Sequence, residues 1–101
     1  MTYANTSENL EPVTLPLRSR LIKGVHYEPK NKRLSILTRH GQVHVHEDVS
    51  VDTVRAIADH EHPGFAYKNL KHELGPKLSP FTLAGLSASL KARRAFNGLD
   101  D

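Results

Sequence analysis

The feature that most constrains the fold is a change in hydrophobic periodicity near residue 48. Before it, apolar and polar side chains alternate in three short runs: residues 21–27, 33–38 and 42–47. After it, apolar residues recur at spacings of three and four, beginning with Val51, Val54, Ile57 and Ala58. Alternation is typical of strands with one buried face, and the longer spacing is typical of an amphipathic helix. The sequence therefore predicts an α+β domain in which strands precede helices.

Short turns at residues 28–32 and 39–41 join the three predicted strands. Strands connected this closely usually run antiparallel, so we expect a small three-stranded antiparallel β-meander. Three strands are stable only when something covers a face of the sheet. We expect the cover to come from two or three helices, with residues 50–60 and 65–74 as the first two.

The two ends of the chain differ from its centre. Residues 1–18 are mostly polar and contain Pro16, which predicts a flexible tail with at most a short extended piece at an edge. Residues 19–76 hold the meander and its covering helices. Residues 77–101 hold an additional C-terminal helix that begins at Ser79-Pro80. Its stripe of leucines would either complete the core or bind a partner or a second copy of the chain. The pattern does not distinguish between these roles.

Composition excludes several classes of protein. The chain has 101 residues and no cysteine, so disulfides, zinc-thiolate sites and thiol nucleophiles are ruled out. No apolar run approaches the roughly 18–20 residues that cross a bilayer, and the N-terminus lacks the apolar run of a secretory signal. We therefore expect a cytoplasmic protein without a membrane partner.

Residues with catalytic or metal-binding chemistry do not form a recognisable motif. No Ser or Thr lies in a nucleophile elbow or a Gly-rich phosphate loop, so we expect no enzyme activity and no cofactor. Two His-x-His pairs, His44/His46 and His60/His62, could together supply four imidazole ligands. Nothing in the sequence requires the pairs to meet, so we expect structural or surface roles and no metal site.

Two local clusters of cations stand out against a net charge of only +3. They are Lys30, Lys32 and Arg33 in the first turn, and Lys91, Arg93 and Arg94 near the C-terminus. Such clusters attract polyphosphates, because binding scales with the number of phosphates neutralised. The plainer interpretation is that they are solvated charges of a turn and a helix end.

The conformation of the second turn decides which face of the sheet carries His44 and His46. If Arg39-His40 form a type I turn and Gly41 is left-handed, His44 pairs with Ile36 and His46 with Leu34. Both rings then share the face of these aliphatic residues. A two-residue loop would place them on the opposite face.

Six short motifs follow one another between Ser19 and about Leu74. They are Val25-His26-Tyr27, Leu34-Ser35-Ile36-Leu37-Thr38, Gly41, His44-Val45-His46, Val49-Ser50 and Gly64-Phe65-Ala66-Tyr67-Lys68-Asn69. In this order they resemble the KTSC domain, a bacterial module found at the C-terminus of some lysyl-tRNA synthetases and in small stand-alone proteins. The sequence has His-x-His where the family has Tyr-x-Tyr, and Val-Ser where it has Val-Pro. The resemblance covers roughly half of the chain and implies a small α+β fold, for which RNA binding has been suggested.

Two functions are consistent with these residues. The first is RNA or other nucleic-acid binding through the hairpin face. Side chains for phosphate contact and base stacking would be Lys30, Lys32, Arg33, Arg39, Tyr27, His44 and His46. The second is a protein-interaction module, an adaptor or an inhibitor, of the kind that mobile elements encode. Its partner would bind the C-terminal helix through Leu83, Leu86, Leu90, Arg93 and Arg94.

Overall fold

The computed structural model describes residues 11–70, 74, 77–79 and 81–99. In chain order its elements are strands β1 (Val13–Pro16), β2 (Ile22–Glu28), β3 (Arg33–Thr38) and β4 (Val43–His46), then helices α1 (Val51–Ala58), α2 (Pro63–Leu70) and α3 (Leu83–Asn97). The strands form one antiparallel sheet in the order β1-β2-β3-β4. The α+β class and the antiparallel meander predicted from the periodicity are confirmed.

The sheet has four strands, and the prediction of three was wrong. The added strand, β1, lies inside the range 1–18 that we assigned to a flexible tail, and it pairs antiparallel with β2. Pro16 is tolerated there because an edge strand needs only some of its amides for pairing. Residues 1–10 of the predicted tail lie outside the described residues.

The turn between β3 and β4 adopts the first of the two conformations considered. Gly41 has a φ of 87°, a left-handed conformation that costs glycine no steric clash. Its N–H donates to the carbonyl of Thr38 at 3.0 Å. His44 consequently pairs with Ile36, and His46 pairs with Leu34. Both histidines therefore lie on the face of the sheet that those aliphatic residues occupy.

This first face of the sheet packs against α1 and α2. The α1 helix begins at Ser50, whose hydroxyl accepts a hydrogen bond from the N–H of Thr53 at 3.2 Å. The cluster beneath the two helices is largely aliphatic and consists of Ile22, Val25, Tyr27, Leu34, Ile36, Val49, Val54, Ile57 and Tyr67. Burial of these side chains supplies most of the hydrophobic stabilisation.

The second face packs against α3. Leu37 follows Ile36 in β3 and so points to the opposite side, where it contacts Ala92 and Phe96. The helix begins at Leu83, and its cap, Thr82, lies three residues after the predicted cap, Ser79. No helix in the described part of the chain is long and apolar enough to cross a membrane.

Candidate functional site

Two of the predicted base-stacking side chains, Tyr27 and His46, lie inside the core. His46 is 3% exposed, and its Nε2 shares a hydrogen bond of 2.8 Å with the hydroxyl of Tyr67 in α2. Tyr27 donates its hydroxyl to the carbonyl of Val49 at 2.6 Å. Burial raises the pKa of both tyrosines, which keeps the hydroxyls protonated. The prediction that Tyr27 and His46 form a stacking surface was wrong, since the register places them under the helices.

His44 lies on the same face as His46 but nearer the start of β4, and it is only half-buried. The ammonium of Lys77 donates to Nδ1 of His44 at 2.9 Å. The backbone of Lys77 also pairs with that of His46 as an isolated antiparallel β-bridge. The N–H of Leu78 donates to the carbonyl of Val45 at 2.8 Å. The predicted C-terminal segment 77–101 thus starts with residues that lie along β4.

The predicted phosphate contacts do not form one patch. Lys30 and Lys32 are exposed in the turn between β2 and β3, and Arg33 beside them is paired with Glu47 at 2.9 Å. Arg39 lies at the opposite end of β3. Because the strand has six residues, Arg39 is about 20 Å from Arg33. We had placed all four cations near one hairpin. The length of β3 separates them, so the predicted nucleic-acid face is divided.

A buried polar cluster under α3 was not found by the sequence analysis. His26, Glu28 and Ser35 are all nearly inaccessible to solvent. His26 Nδ1 bonds the hydroxyl of Thr14 at 2.8 Å, and its Nε2 lies 3.9 Å from a carboxylate oxygen of Glu28. The other oxygen of Glu28 lies 3.5 Å from the ammonium of Lys91 on α3. The alternation of β2 was the available signal, because His26 and Glu28 point away from Val25 and Tyr27.

The chemistry of this cluster is set by its burial. Desolvation lowers the pKa of His26, the positive charge of Lys91 lowers it further, and the carboxylate of Glu28 opposes both. The ring of Phe96 on α3 lies edge-on to His26, with 6.3 Å between centroids. A Ser, a His and a carboxylate can serve catalysis, but a substrate cannot reach them while α3 covers them.

The outer face of α3 presents large apolar side chains to solvent. Leu83, Leu86 and Leu90, here called the leucine stripe, are 87%, 48% and 53% exposed. Phe81, just before the helix, is 95% exposed. Arg93 and Arg94 are exposed further along the same helix. The buried side of the helix is built from smaller residues and one phenylalanine: Gly85, Ala88, Ala92 and Phe96.

A cleft of about 490 Å³ lies between the loop that precedes β2 and the start of α2. Its lining consists of Arg18, Ser19, Arg20, Leu21, His62, Pro63, Gly64 and Phe65, and we call it the α2 cleft. Gly64 and Phe65 belong to the last of the six motifs, whereas Arg18 and Arg20 were not among the predicted site residues. Only the tertiary contact between loop and helix brings these residues together.

The described residues contain no group of three or more His, Cys, Asp or Glu side chains placed to hold a metal ion. His60 and His62 remain near each other after α1, with 6.3 Å between ring centroids. His44 lies on β4 and interacts with Lys77.

Comparison with known proteins connects the chain to a solved fold. No family model matches the sequence, and no curated protein matches it. The structure is similar to the crystal structure of a KTSC domain protein from Yersinia pestis, with a TM-score of 0.59 and 18% sequence identity. The similarity covers 68% of this chain and 100% of that chain. The KTSC-like fold implied by the six motifs is therefore confirmed.

Proposed function

We propose that this protein is a small non-catalytic protein-interaction module whose outer α3 face binds an acidic amphipathic helix of another protein. The observation that carries the proposal is the exposure of the leucine stripe while the small residues of α3 face the sheet. A helix that served only to cover the sheet would be expected to turn its leucines inward as well as its phenylalanine.

The geometry of the leucine stripe suits a helical partner. Leu83, Leu86 and Leu90 are spaced three and four residues apart, so they lie along one side of α3. Phe81 extends the apolar surface at its N-terminal end. Burial of one leucine side chain contributes about 1.5–3 kcal/mol, so three of them can anchor a helix in the way that helix-and-groove complexes do.

The charge of α3 indicates what kind of partner fits. The helix contains Lys91, Arg93 and Arg94 and no acidic residue. A second copy of the same helix would bring like charges together, which disfavours self-association through this face. A partner helix with leucines on one side and carboxylates on its flanks would satisfy both the apolar stripe and the cations.

The test uses the full chain and two synthetic helical peptides. Both peptides carry leucines at three- and four-residue spacing, and they differ in having glutamates or lysines on the flanks. We expect the acidic peptide to bind at least about tenfold more tightly than the basic one in a fluorescence anisotropy titration. The combined substitution Leu83→Ser and Leu90→Ser is expected to weaken binding at least about tenfold.

The matched control is Val51→Ser, which replaces an exposed aliphatic residue on α1 and should leave binding unchanged. Equal binding of the two peptides, or no effect of the leucine substitutions, would refute the proposal. The proposal would also be refuted if the free chain sedimented as a dimer and the leucine substitutions made it a monomer. The leucine stripe would then bind a second copy of the chain.

A further inference from the structure

We infer that the α2 cleft binds a nucleotide unit, with Arg18 and Arg20 contacting the phosphate and Phe65 contacting the base. This site is separate from the α3 face, and the inference goes beyond the protein-binding function proposed above. Three features of the cleft carry it: a loop fixed in shape, a concentration of cations without acids, and an exposed aromatic ring.

The loop that carries the two arginines is held in one shape by its own hydrogen bonds. The hydroxyl of Ser19 accepts from the N–H groups of Leu21 at 3.1 Å and Ile22 at 3.2 Å. The guanidinium of Arg39 donates to the carbonyls of Ser19 at 2.9 Å and Leu17 at 3.2 Å. A loop fixed in this way presents its neighbouring side chains with a smaller entropic cost of binding.

The helix side of the cleft approaches the loop closely at Gly64. A Cβ added there would come within 2.8 Å of the Ser19 hydroxyl oxygen and 3.1 Å of Leu21. Only glycine allows this approach without displacement of the loop. The contact therefore holds the loop that carries Arg18 and Arg20 against the start of α2, beside His62 and Phe65.

The cations in the cleft favour a phosphate over other ligands. Arg18 and Arg20 are exposed, His62 lies opposite them, and no acidic residue is among the described residues that line the cleft. Guanidinium groups bind phosphate oxygens through paired, charge-assisted hydrogen bonds. With two arginines, the site is better matched to a doubly charged phosphate than to a single carboxylate.

The exposed ring indicates that the phosphate carries a flat group. Phe65 is 59% exposed in the first turn of α2, and the ring of His60 lies 6.2 Å from it. The backbone N–H of His62 donates to the ring Nδ1 of His60 at 2.8 Å. This hydrogen bond holds the His60 ring beside Phe65. Aromatic side chains next to cations are the usual platform for nucleotide bases. A volume of about 490 Å³ is enough for one nucleotide.

The test measures binding of four probes to the full chain at low salt: AMP, adenosine, inorganic phosphate and a single-stranded RNA of about ten nucleotides. We expect AMP or the RNA to bind at least about tenfold more tightly than adenosine or phosphate, because only they engage both walls. Tight binding of AMP identifies a free nucleotide as the ligand. Binding of the RNA without AMP identifies a nucleic-acid strand.

Substitutions assign the binding to the cleft. Arg18→Ala with Arg20→Ala should weaken binding at least about tenfold, and Phe65→Ala at least about fivefold. Lys30→Ala with Lys32→Ala removes two exposed cations far from the cleft and should change little. Binding of none of the probes, or equal losses in the arginine and lysine variants, would overturn the inference. The Leu83→Ser and Leu90→Ser chain should bind as the wild type does, which separates this site from the α3 face.

Discussion

The two faces of the sheet are covered by helices in very different ways. Under α1 and α2 the contact is a continuous cluster of aliphatic residues and two tyrosines. Under α3 the buried apolar cluster is small, and His26, Glu28 and Ser35 are buried in the same layer. The comparison indicates that the first face provides stability, whereas the second fixes a helix whose larger side chains remain available outside.

The largest effect is expected at the first face. Leu34→Ala removes a side chain that has no exposed surface and leaves a cavity beside Tyr27 and His46, its neighbours on the adjoining strands. We expect the free energy of unfolding to fall by about 4 kcal/mol. Urea denaturation followed by circular dichroism measures it. A loss below about 1 kcal/mol would mean that this cluster is not the principal core.

A smaller loss is expected for Phe96→Ala on the second face. The ring packs against Leu37 and Ala92 and makes a T-shaped contact with the ring of His26, which is a thinner apolar environment. We expect a loss of about 3 kcal/mol, at the lower end for phenylalanine truncation. The same denaturation experiment applies. If this substitution costs as much as Leu34→Ala, the two faces contribute equally and the comparison fails.

The smallest effect is a pH dependence confined to the second face. Burial lowers the pKa of His26 below its unfolded value of 6.5, with Lys91 adding to the shift and Glu28 opposing it. The unfolded chain then binds more protons than the folded one as the pH falls through 6.5, so stability decreases toward acid. We expect wild type to lose more stability than His26→Gln between pH 8 and pH 5.5. Equal losses in both chains would contradict the assignment.

Much of the fold was predictable because local patterns agree with it. The alternation before residue 48 predicts the meander. The register of β4 was open between two turn conformations, and the left-handed Gly41 corresponds to the first of them. β1 was expected as no more than a short extended piece at an edge, because four residues that include a proline carry little periodic signal. Its pairing depends on the exposed edge of β2, a tertiary feature that no short window of sequence contains.

The site residues were harder to predict, for two physical reasons. The leucines of α3 do not face inward. The buried side of the helix instead carries Ala88, Ala92 and Gly85, whose missing side chain leaves room for the carbonyl of Ser79. Hydrophobicity ranks leucine above these residues and so gives the opposite expectation. The α2 cleft joins residues more than forty positions apart, Arg20 and Phe65, which have no common motif.

The two edges of the sheet have a consequence for how this molecule meets others. The outer edge of β1 is four residues long and includes Pro16, which has no amide hydrogen. The outer edge of β4 already bonds Lys77 and Leu78. Along the described part of the sheet, another chain that paired with either edge would find few free backbone groups. Association with another protein therefore depends on side-chain contacts more than on main-chain pairing. The same restriction disfavours the pairing of copies into fibrils.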